Sequence, residues 1–184
     1  MEVEVSAEAK DKRLNRMVAI TVVILSVFTG LCNVKDGNIV QAMQQAQADR
    51  IDHWSFYQAR NVRQEIAQAQ LTQLSLMPAS PTRDSALVKY RALVVDQATK
   101  KDSLRVQAEA DRVTYDTLNY RDDQFDLSDT LLALAISLLA VTALTKKQWL
   151  FWIAMVPTAL GVLMGLAGLF GWHVHPDAVI RLLS

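Results

Sequence analysis

A single cysteine, Cys32, in 184 residues excludes an internal disulfide and leaves the redox compartment open. Charge of one sign is also lacking in excess: 19 Lys and Arg meet 19 Asp and Glu, for a formal net charge of zero. Nucleic-acid phosphates are bound by a basic face, so nucleic acid is not an expected partner. Between Asn38 and Met77 there is neither proline nor glycine. The chain has no Gly-rich phosphate loop, no nucleophile beside a base, and no pair of acids at a credible catalytic spacing on a stable fold. An enzyme is therefore not expected, and neither a catalytic residue nor a cofactor is assigned.

What is present is sorted along the chain. An N-terminal tail (1–16) opens with Glu2, Glu4 and Glu8 and ends with Lys10, Lys12, Arg13 and Arg16. From Met17 to Cys32 no charge occurs, and extension to Val34 gives a first span, 17–34, close to the roughly 20 apolar residues a membrane-crossing helix needs. Basic residues before an apolar core also fit a signal peptide. The bulky Leu31 before Cys32, and the absence of a small-x-small site in Asn33-Val34-Lys35-Asp36, favour an uncleaved anchor.

A second apolar run, Leu127 to Thr145, has Asp129 as its one charge, and the second span is placed at 126–145. Lys146 and Lys147 follow. Each would cost about 2.5–3.5 kcal/mol at mid-bilayer, so 146–148 reads as a tight turn between two spans. The third span, 149–172, runs uncharged from Trp149 to Trp172, and a short tail (173–184) closes the chain.

Residues 35–125 are polar and rich in Gln, Ala and Arg, good helix formers. Ile39, Met43 and Ala46, then Ile51 and Trp54, then Val62, Ile66 and Ala69 recur at helical steps. Met77-Pro78-Ala79-Ser80-Pro81 interrupts the pattern. Beyond it Leu87, Tyr90, Val94 and Ala98 share a face that Leu104, Ala108, Asp111, Tyr115 and Leu118 continue. Two helices of about 40 residues, near 60 Å each, joined by a short loop, predict an antiparallel hairpin. Neither stripe is a clean heptad repeat, so a coiled coil here is loose or shared among chains. The expected fold is thus an all-α membrane protein: three transmembrane helices with a long antiparallel helical hairpin between the first and second.

Three spans put the basic tail and the Lys146-Lys147 turn on one side. The excess of Lys and Arg in short segments places that side in the cytoplasm and the hairpin outside it.

Three stretches carry a family resemblance: Asp52-His53-Trp54-Ser55-Phe56-Tyr57-Gln58-Ala59-Arg60, Phe125-Asp126-Leu127-Ser128-Asp129, and Trp149-Leu150-Phe151-Trp152 after two basic residues. With them the chain, from about Leu14 to Trp172, resembles the bacterial domain-of-unknown-function 4337 family. The resemblance implies a small multi-pass protein of the bacterial inner membrane with this plan. It implies no activity.

Trp54, Tyr57, Gln58 and Asn61 fall at i, i+3, i+4 and i+7 on one helix face. They read either as a partner-binding surface anchored by aromatics or as packing within and between copies. Gly161 and Gly165 are spaced GxxxG, extended by Ala154, Thr158 and Gly168; Ala133, Ser137 and Ala140 form a similar stripe in the second span. Such faces let helices approach closely in lipid, between two spans of one chain or between chains. Pro157 predicts a kink in the third span.

Asp126 and Asp129 lie at the outer end of the second span. They read as solvated headgroup-level acids, as part of a helix cap, or as a cation-attracting pore mouth if copies form a ring. His173-x-His175-Pro176-Asp177 offers metal-type donors, but too few on a short tail, so no metal is assigned. The function expected is a membrane-anchored structural or interaction protein, a homo-oligomer whose hairpin binds copies or a protein partner. The alternative is an oligomeric channel.

Overall fold

Good helix formers and the scarcity of Gly and Pro carry the backbone through three helices in the computed structural model, which describes residues 2–172 and 174. These are α1 (Glu2–Ser75), α2 (Pro81–Thr145) and α3 (Gln148–Phe170). All three contain stretches long and apolar enough to cross a membrane. The tail, spans and hairpin arms read from hydropathy are not separate elements. The divisions at 16/17, 34/35 and 125/126 fall inside continuous helices. Gly37 does not break α1, and α3 runs on through Pro157.

The helix ends follow local chemistry. α1 tightens at its end, with Leu76 N–H donating to Gln73 O (3.2 Å) and Met77 N–H to Leu74 O (3.2 Å), before Pro78 halts it. Ser80 caps α2: its Oγ accepts from Arg83 N–H (3.2 Å), Pro81 holds the first helical position and Asp84 the first turn. Arg83 reaches back to Met77 O (2.9 Å), tying the loop together. Between α2 and α3, Lys146 takes a left-handed conformation (φ 54) and Lys147 an extended one, reversing the chain in two residues. α3 ends in a left-handed Gly171 (φ 69), with Trp172 N–H bonded to Ala167 O (2.9 Å).

The chain forms two compact units, residues 1–41 with 117–184, and residues 42–116. The first is a three-helix bundle. Leu14, Val18 and Leu25 of α1, Leu132, Ala135 and Leu139 of α2, and Phe151 and Ala154 of α3 make its core. Buried α1 positions recur as Leu14, Val18, Leu25, Cys32 and Ile39; those of α2 recur as Ser128, Leu132, Ala135, Leu139 and Thr142. The 4- and 7-residue steps on α1 and the 3- and 4-residue steps on α2 each keep one helix face turned inward. The outward face is apolar too, with Ile20, Val23, Ile24, Val27 and Leu31 on α1 and Val156, Leu160 and Leu163 on α3 exposed.

The second unit is a hairpin of α1 and α2. Across it His53 meets Asp111, while seven and eight residues further along α1 Arg60 meets Gln97 and Asn61 meets Lys101, both earlier on α2 than Asp111. The helices are antiparallel here. Buried residues are few and mostly small: Met43, Ala46, Ala67, Gln97 and Ala108.

Candidate functional site

Within the hairpin, the face predicted from Trp54, Tyr57, Gln58 and Asn61 divides. Asn61 Oδ1 accepts a hydrogen bond from Lys101 Nζ at 3.0 Å, and the same ammonium lies 5.8 Å from the Tyr57 ring centroid. Those two residues face α2. Trp54 packs edge-on against Tyr57 (5.2 Å, 76°) and, with Gln58, lines a shallow groove of about 380 Å³ beside Arg50 and Ile51. The helix turn thus gives half the face to the hairpin seam and leaves half open.

That seam holds residues the sequence pattern did not single out as a site. His53 Nδ1 lies 2.6 Å from Asp111 Oδ2, and Arg60 Nη1 donates to Oε1 of the buried Gln97 at 3.1 Å. The available signal was His53, Tyr57, Arg60, Asn61 and Gln64, a polar stripe at helical spacing on α1. Its partners lie 37 to 58 residues away and could not be named.

In the bundle, the small residues of α3 face neighbours in the same chain. A Cβ on Gly161 would lie 2.9 Å from Leu132, one on Gly165 2.7 Å from the Phe28 ring and 2.8 Å from Ser128 Oγ, and one on Gly168 2.8 Å from Phe125. Ser128 Oγ donates to Gly161 O (2.8 Å), a bond possible only because the backbones approach closely. The stripe on α2 is a different matter. Ala133, Ser137 and Ala140 are exposed, and Ser137 Oγ is spent on Ala133 O (2.9 Å). The α2 face that packs against its neighbours is instead Ser128, Leu132, Ala135 and Leu139. In a run apolar all round, hydropathy does not reveal which side turns inward.

Asp126 and Asp129 are both exposed, at positions that share a face of α2 with Asp122. Asp36 of α1 joins them, near enough for Asp122, Asp126 and Asp129 to act on its carboxyl. Burial raises the Asp36 carboxyl from 3.8 to about 6, and Asp122, Asp126 and Asp129 push the same way. Beside the acids, Arg121 and Gln124 clamp the end of α3. Arg121 Nη2 donates to Gly168 O (2.8 Å), and Gln124 Nε2 donates to Trp172 O (2.8 Å) and Val174 O (2.7 Å). Sequence reading missed Asp36, whose signal was its place just past an apolar run, matching the acids on α2.

No three His, Cys, Asp or Glu residues are grouped to hold a metal ion among the described residues. His173, His175 and Asp177 lie outside the described residues.

No curated protein and no solved structure matches the chain. A match to the family described as Domain of unknown function (DUF4337) spans residues 14–171, which takes in the core of the bundle, the whole hairpin and the acidic stretch of α2. The chain therefore belongs to that family.

Proposed function

We propose that this protein is a bacterial inner-membrane anchor that assembles with copies of itself through its hairpin. The bundle's outward apolar face, with Ile20, Val23, Ile24, Val27 and Leu31 of α1 and Val156, Leu160 and Leu163 of α3 exposed, fits a lipid surround. Indoles stand at both ends of α3, Trp149 and Trp152 exposed at one and Trp172 at the other, as interfacial anchors do. At 23 residues, α3 is about 35 Å long against a hydrocarbon core near 30 Å. The basic tail and the Lys146-Lys147 turn put that end in the cytoplasm, with residues 35–125 on the periplasmic side.

One observation carries the assembly reading. Val88, Val95, Val106 and Val113 are 67%, 65%, 65% and 59% exposed, and their 7-, 11- and 7-residue spacing keeps them on one face of α2. Ala92 and Ala110, also exposed, fall on the same stripe. α1 carries a similar set in Ile51, Val62 and Ile66. A seam of β-branched residues on an otherwise largely polar hairpin suits helices of a second copy. Native mass measurement in mild detergent tests this. Wild type is expected as an oligomer, and Val95→Lys/Val106→Lys as smaller species of unchanged helicity. A monomeric wild type would remove the reading.

A second reading, an oligomeric channel, is favoured by the exposed Asp126 and Asp129, neither of which makes an ion pair among the described residues. Copies in a ring would gather these acids at a pore mouth. Purified protein in planar bilayers should then conduct cations, and Asp129→Asn should weaken the cation preference. A silent bilayer under both voltage and tension would rule the channel out.

A further inference from the structure

We propose that the cleft at the N-terminal end of the bundle holds the phosphodiester headgroup of an anionic glycerophospholipid from the leaflet around it. The inference rests on the membrane reading above and concerns a different part of the molecule from the hairpin.

The cleft has a volume of about 620 Å³ and is open to the surface, of the size that small-molecule sites occupy. Its walls are chemically divided. Lys10 and Arg13 from the start of α1 and Lys146 from the α2–α3 turn supply three cations, while Leu14, Met17 and Trp152 supply an apolar wall. One carboxylate is present, Asp11, and it is engaged by Lys146 at 3.0 Å. Lys10 and Arg13 make no ion pair among the described residues, so the cleft keeps an excess of positive charge. Gln148 adds an amide at the first turn of α3, where the Lys147 side chain makes no capping bond; the helix end therefore adds to the positive potential.

The division of the walls selects the occupant. A free phosphate would use the cations and leave the apolar wall wet. A glycerophospholipid uses both: phosphate oxygens on the guanidinium and ammonium groups, glycerol and the first methylenes against Leu14, Met17 and the Trp152 ring. The position agrees. The cations sit beside Met17, Thr145 and Trp149, where the apolar runs begin and end, so they lie at headgroup depth. Trp152 is exposed at that level, as an interfacial indole is. The cytoplasmic leaflet is the anionic one, and each basic residue near it contributes to the attraction.

The test uses the full chain, delipidated in mild detergent and offered equal amounts of phosphatidylglycerol and phosphatidylcholine, with retained lipid read by native mass spectrometry. Wild type should retain the anionic lipid on the order of ten-fold over the zwitterionic one. Lys10→Gln/Arg13→Gln/Lys146→Gln should bring the ratio close to one, and Arg13→Gln alone, at an exposed helical position, should lower it part of the way. Lys10→Arg/Lys146→Arg should keep it, and Lys89→Gln/Lys100→Gln in the hairpin should not change it. Excess glycerol phosphate should not displace the lipid. Equal retention by wild type, a preference that survives the triple substitution with helicity intact, or displacement by glycerol phosphate overturns the proposal. Flotation with neutral phosphatidylcholine vesicles separates the two levels. Protein that floats but shows no lipid preference sinks the cleft alone, whereas protein that does not float sinks the membrane reading with it.

Discussion

In the bundle unit, apolar side chains point both inward and outward, and three buried polar side chains donate to backbone carbonyls: Ser128 to Gly161, Gln124 Nε2 to Trp172 and Val174, Thr142 to Leu138. In the hairpin unit the arrangement is reversed. Its surface is mostly polar, its interior is thin, and its cross-helix bonds join side chains: His53 with Asp111, Arg60 with Gln97, Lys101 with Asn61. The same two helices, α1 and α2, take part in both units. What differs is the surround each unit suits. Where lipid replaces water, the outside is as greasy as the inside, and close approach at glycines becomes the packing device. Where water remains, valines recur exposed on one face of α2, the feature on which the proposed assembly rests.

The strongest way to break this comparison is one charge on each outward face. Val27→Arg lies mid-way along the first apolar run and should cost about 2.5–3.5 kcal/mol of insertion, on the order of a 100-fold loss of carbonate-resistant membrane protein. Val62→Arg, exposed in the hairpin, should leave that fraction unchanged. Equal behaviour of the two would end the distinction.

Packing within the bundle gives the next largest effect. Gly165→Leu drives atoms into Phe28 and Ser128 and should lower bundle stability by about 1–3 kcal/mol, seen as a lower melting temperature in detergent. A Cβ on Gly30 meets nothing within 4 Å, so Gly30→Ala should be neutral or slightly stabilising, because alanine is the better helix former. A matched loss at both glycines would mean that the fit around α3 is not what holds the bundle.

In the hairpin, removing one member of a polar pair should cost less. His53→Ala or Asp111→Ala should destabilise by roughly 0.5–1.5 kcal/mol in thermal unfolding. The double variant should cost less than the two losses added, as coupled groups do. Strict additivity would show that the 2.6 Å contact contributes nothing.

The smallest effect expected is a pH dependence in the bundle. Asp36 binds its proton more tightly in the folded protein, near 6, than the 3.8 of a free carboxyl. Its contribution therefore favours folding at acid pH and is lost as pH rises from about 4 to about 6. Asp36→Asn should flatten that part of the melting-temperature profile and raise the melting temperature slightly at pH 7. A variant with the wild-type slope would assign the titration to another group.

Much of the architecture was readable. The apolar runs at 17–34, 126–145 and 149–172, the prolines at 78 and 81 and the lysines at 146 and 147 marked where helices could lie and where the chain must turn. The boundary between apolar and polar residues at 34/35 leaves no mark on the backbone: α1 passes through it and through Gly37 without a break, because one glycine costs a helix only about 1 kcal/mol. The site was less legible. The Trp54 face was visible as a face but not as one divided between Lys101 and an open groove, and the stripe of Ala133 and Ser137 was visible without the side to which it turns, which is outward within one chain.

The amino-acid sequence by itself determined which stretches are apolar enough for lipid, which are helical and where the chain reverses, because hydropathy, helix propensity and proline geometry act over a few residues. The tertiary structure alone decided the rotation of each helix about its axis, and with it whether Ala135 or Ala133 turns inward, whether Gly165 receives Phe28, and that Asp36 meets Asp122. Those choices depend on the shapes of side chains distant in the chain, and a helix that is apolar on every side carries no local signal of them.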